Sequence, residues 1–205
     1  MDEFSAGEAA LNRGAQEEAI AEFKLAAAKG DARAAAALGF IFEAKGREDP
    51  SAYELAATWY EKALELDDHP LVHLGLARLY YYALGRSRKF PLAYEQLKAA
   101  DPEQSPEAAL MLGELLLWGA GCEQNIAEAE RHFQSAVDAG YPLGLIGLAR
   151  AAKARGKYLR SFFYMIRAFG TFIPMMFRDK TDPRLLGIRK GGGRLYLDRY
   201  VHEHS

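Results

Sequence analysis

Apolar residues in this 205-residue chain recur in one phrase: an alanine, a large apolar residue four positions on, and another alanine three after that. It stands at Ala19/Phe23/Ala26, Ala56/Tyr60/Ala63, Ala93/Leu97/Ala100 and Ala129/Phe133/Ala136. With serine in first place it stands again at Ser161/Met165/Ala168. Steps of four and three bring all three side chains onto one face of an α-helix. Successive phrases begin 37, 37, 36 and 32 residues apart. A second series, Leu38-Gly39, Leu74-Gly75, Leu112-Gly113 and Ile146-Gly147, counts the same period, its glycines 36, 38 and 34 apart. No stretch alternates with the period of a strand. Such a repeat predicts an all-α stack of helical units, each too small to bury its own apolar face.

Glycine and proline punctuation divides the chain into five helix pairs, at about residues 4–30, 32–67, 70–101, 106–140 and 142–169. Gly14 breaks the first pair and Gly30 ends it. Pro50-Ser51 signals a helix start, and Ser105-Pro106 is another, with serine as a cap and proline in the first turn. Gly170 and Pro174 predict that the fifth pair ends at Phe169, with Phe172–Phe177 folding back over the apolar end of the stack. Residues 170–205 then form a cap and a basic tail, jointed at Gly191–Gly193.

Composition adds a core and a charge split. Half of the residues are hydrophobic and 26% are charged, which supplies a core and argues against global disorder. Residues 1–149 carry 24 acidic and 13 basic residues, a net −11, whereas residues 150–205 carry 4 and 13, a net +9. That asymmetry points the C-terminal end towards something negative. Cys122, the single cysteine, allows no intrachain disulfide and fits a reducing, cytoplasmic setting. Met1-Asp2-Glu3 opens no secretory signal, and no apolar run is long enough to span a bilayer.

The fourth unit carries a family resemblance. Leu112-Gly113, Gly119-Ala120-Gly121, Ala129, Phe133, Ala136 and Gly140 resemble the Sel-one-like repeat, whose pattern is Leu-Gly, an aromatic, a Gly-x-Gly loop, then Ala, an aromatic, Ala and Gly. Leu116 stands where that pattern has an aromatic. The second unit keeps Leu38-Gly39, Phe42, Gly46, Ala56, Tyr60 and Ala63. Units one and five have the shorter loops of the related tetratricopeptide repeats, and unit three is the most degenerate. The resemblance covers about residues 4–169. It implies a right-handed superhelical solenoid of antiparallel helix pairs that serves as a protein-binding scaffold or adaptor.

By the same analogy, the first helices of the pairs line a concave groove. Counting from the Leu-Gly pairs places Phe40, Glu43, Tyr80, Glu114, Trp118, Arg150 and Lys153 on it. Tyrosine and tryptophan are typical interface anchors, and arginine and lysine hold carboxylates.

Catalytic motifs are missing: no phosphate loop, dinucleotide fingerprint, nucleophile elbow or HExxH is present, so the reading is non-catalytic, without cofactor or metal. His69 and His73 lie four apart with no third ligand nearby, and His202-Glu-His204 lies in the last residues. Cys122 reads as a packing residue. Residues 157–180 alternate Phe, Met and Ile with arginines. Ile173, Phe177 and Arg178 mark an alternative contact, with an anionic membrane surface or a second protein. Nucleic acid is not the expected partner, since no recognisable binding module accompanies the basic charge.

Overall fold

The computed structural model describes residues 2–82, 84 and 89–178, with side chains as far as Ile173. Among them every regular element is a helix. Five form a first compact unit: α1 (Glu3–Asn12), α2 (Gln16–Ala28), α3 (Ala32–Lys45), α4 (Ala52–Leu66) and α5 (Pro70–Tyr82). Five form a second: α6 (Phe90–Ala99), α7 (Pro106–Trp118), α8 (Ile126–Asp138), α9 (Leu143–Ala154) and α10 (Tyr158–Arg178). The division falls inside the third repeat, the most degenerate of the five in sequence. Within each unit a helix packs on its neighbours in the chain, and first helices also meet, α3 with α5 and α7 with α9. This nearest-neighbour packing makes the chain an all-α repeat solenoid.

Local chemistry sets the ends of the helices. Asp31 accepts from the backbone N–H groups of Arg33 and Ala34 at the start of α3. Ser105 accepts from Ala108 before α7, and Asn125 from Glu128 before α8. Each thereby satisfies donors that have no partner inside the helix. Gly119, at φ 64°, closes α7 in the left-handed conformation that glycine adopts without strain.

The two periodic signals meet in the core. The ring of Tyr60, fully buried on α4, lies against Gly39 of α3 and Gly75 of α5, where added Cβ atoms would stand 2.4 and 2.5 Å from it. Phe133 on α8 lies in the same way between Gly113 of α7 and Gly147 of α9. In these two phrases the large residue thus sits between two first helices, and the Leu-Gly glycines are the space into which it fits. Flanking alanines, Ala56 and Ala63 or Ala129 and Ala136, are buried and allow the close approach.

One expectation from sequence is corrected. The fifth pair does not end at Phe169, and residues 172–177 do not fold back. Instead α10 runs on through Gly170 and Pro174 to Arg178. The helical apolar spacing of Leu159, Phe162, Ile166, Phe169 and Ile173 continues across the glycine without a break. A proline inside a helix removes one backbone hydrogen bond but does not always end it. Thr171 Oγ1 donates to the carbonyls of Arg167 and Ala168, in the turn before the proline. Phe177 and Arg178 fall within α10, but their side chains lie outside the described residues, as does the whole Gly191–Gly193 segment.

Candidate functional site

The seven groove candidates separate by unit. In the first unit, Phe40 is buried with its ring edge-on to Tyr60, centroids 5.3 Å apart. Tyr80 is buried too, its hydroxyl donating to Glu61 at 3.3 Å. Neither is an available anchor, which corrects the expectation from sequence. Glu43 is taken up by an internal pair. Arg78 donates to it from Nε and Nη2, both at 2.7 Å, and the Tyr60 hydroxyl donates to Oε2.

This two-pronged ion pair, with Arg78 buried and Glu43 half-buried, ties α3 to α5. Burial, with the Glu43 carboxylate beside it, holds the Tyr60 hydroxyl well above its ordinary range, so it remains a donor. Arg78 escaped the sequence count. It stands three residues after Gly75, the register that singled out Arg150 after Gly147.

The second unit presents a different arrangement. Trp118, the last residue of α7, is 63% exposed. Its indole Nε1 donates to Glu114 Oε2 at 3.1 Å, one turn back on the same helix. Arg150 on α9 donates to the other oxygen of Glu114 at 2.7 Å, and its side chain is 52% exposed. Lys153 is exposed one turn further along α9. Glu114 therefore fixes an aromatic ring from one first helix and a guanidinium from the next on a single carboxylate. Four of the seven candidates come together here: Glu114, Trp118, Arg150 and Lys153.

The described candidates for chemistry have structural tasks, while His202 and His204 lie outside the described residues. His69 is buried and its Nδ1 accepts from the backbone N–H of Leu71 at the start of α5, while His73 pairs with Asp68. Burial pushes the Cys122 thiol up from its ordinary value, away from a reactive thiolate. Among the described residues no group of three His, Cys, Asp or Glu side chains is placed to hold a metal ion.

No family model and no curated protein matches the chain. Solved structures do. A Sel1 repeat protein from Oxalobacter formigenes is similar with a TM-score of 0.62 and 22% identity, over 82% of this chain and 69% of that one. The antigen c5321 of uropathogenic Escherichia coli, described as displaying an SLR fold, is similar with a TM-score of 0.56 and 20% identity. That match covers 80% of this chain but 35% of the antigen, so the chain spans about a third of its length. This chain is a helical repeat protein of the SLR fold. In this chain the rings of Tyr60 and Phe133 on their glycines are the packing repeat. The cluster at Trp118 lies on its surface.

Proposed function

We propose that this SLR-fold chain is a non-catalytic protein-interaction scaffold that seats a segment of another protein on the α7–α9 face. The observation that supports it is the exposed indole of Trp118, fixed through Glu114 beside the Arg150 guanidinium. Large aromatic side chains are costly to leave in water and are enriched at interface hot spots, as is arginine. A matching segment places an apolar side chain on the indole and a carboxylate at Arg150 and Lys153, where it shares the cations with Glu114.

The test is a peptide-display selection against the full chain, followed by affinity measurement with Trp118→Ala and Arg150→Ala. Peptides carrying an acidic residue beside an apolar one should emerge, and each variant should weaken them at least about tenfold. Far-UV circular dichroism of both variants should match the unaltered chain, because both side chains are exposed. Selected peptides that bind both variants as tightly would sink the assignment. Lost helicity in Trp118→Ala would make the residue part of the core instead.

A further inference from the structure

The second helices of the repeats share a register, and α10 departs from it on the side that faces water. Two residues beyond the first member of each phrase stand Ala21, Thr58, Glu95 and Arg131, all exposed, and on α10 Phe163. Five beyond it stand Lys24, Glu61, Lys98 and Gln134, and on α10 Ile166. Four repeats thus keep small, polar or charged residues at these two outer positions. The last described helix puts two large apolar ones there, Phe163 61% and Ile166 52% exposed.

Leu159, Phe162, Phe169 and Ile173 are exposed as well and extend the apolar face along the helix. Their helical spacing gives one continuous stripe on an element of 21 residues, about 30 Å long.

Charge selects what covers this stripe. Residues 150–178 contain seven basic residues and no acidic one. Arg160 and Arg167, seven apart and both exposed, run along one edge of the stripe. A second copy laid against it would bring the same arginine edge and no carboxylate from its own α10. An anionic surface accepts arginines and apolar side chains together. Among the described residues no helix is long and apolar enough to cross a membrane, so α10 is suited to lie in the interface rather than span it.

The geometry points to the outer face of α10 as a docking surface for an anionic lipid bilayer. Leu159, Phe162, Phe163, Ile166, Phe169 and Ile173 enter the acyl boundary, while Arg160 and Arg167 remain at the headgroups.

The test is flotation of the full chain with vesicles of phosphatidylcholine alone, or with roughly 30% phosphatidylserine added. The unaltered chain should float only with the anionic vesicles. Phe163→Glu/Ile166→Glu should weaken binding at least about a hundredfold, from the apolar area no longer buried. Arg160→Gln/Arg167→Gln leaves the apolar stripe intact and should weaken it about thirtyfold. Trp118→Ala should float like the unaltered chain, which keeps this surface distinct from the peptide-binding one.

Flotation with neither vesicle overturns the inference, and so does equal flotation of the unaltered chain and both double variants. Sedimentation as a dimer that Phe163→Glu/Ile166→Glu converts to a monomer, without flotation, would assign the stripe to a second copy instead.

Discussion

Gly147 lies so close to Phe133 that a Cβ built on it would stand 2.3 Å from Cδ1 of the ring. The ring is fully buried and lies against Gly113 as well, so it has little room in which to yield. Here glycine is required for its missing side chain, whatever its backbone freedom.

Gly147→Ala should therefore destabilise the protein by about 1–3 kcal/mol through overpacking. The control is Gly170→Ala on α10, where a new Cβ meets nothing within 4 Å. Alanine should there raise stability by about 0.5–1 kcal/mol, through a stiffer unfolded chain and a better helix residue. Urea titrations of the two variants should shift in opposite directions.

Glu43, half-buried, and Arg78, buried, form the ion pair of the first unit, and removing one partner leaves the other charged and largely out of water. Arg78→Met alone should cost about 3–5 kcal/mol. Adding Glu43→Leu should restore much of that loss, because no orphaned carboxylate then remains. A double-mutant cycle measures the difference. If the double variant is as unstable as the sum of the single ones, the pair is not coupled as described.

His132 on α8 gives a dependence on pH. Desolvation is the main cause holding its imidazole below the ordinary value of 6.5; Arg131 adds to the lowering, while Glu128 and Glu103 oppose it. Between the native and unfolded values the unfolded chain binds more protons, so stability rises with pH across that window. Its contribution is full above about pH 6.5 and is lost as pH falls towards and through the lowered native value. His132→Gln should flatten this part of the profile, read from urea midpoints at several pH values between about 5 and 7.5. An unchanged slope would show that other groups carry it.

The helices were largely legible because their punctuation is local. Ser105-Pro106, Gly14 and Gly30 act within a turn or two of where they stand in the chain. The break expected after Phe169 failed because the apolar phase of α10 outweighs one proline and one glycine. The groove face was less legible for a different reason. In α3 every residue from Ala34 to Phe42 is buried, and α7 and α5 are nearly as enclosed. A helix covered all round carries no polar stripe to mark the outward side.

Phe40 and Tyr80 therefore read like Trp118 in sequence, though only Trp118, at the end of its helix, reaches water. Arg78 and Arg150 share a register, yet one is enclosed with Glu43 and the other is open beside Glu114. Which carboxylate lies where is decided by neighbouring helices, more than thirty residues away along the chain.

Because Tyr60 and Phe133 each rest on a glycine belonging to the following repeat, the sequence repeat is not the piece that can be cut out. Shortening the array after α4 or α8 would strip one wall from a ring that needs two. Ending it after α5 or α9 would leave both walls in place. Truncations and grafted arrays made from this chain should accordingly be spliced one helix later than the repeat boundary suggests. Extra units would be inserted from first helix to first helix.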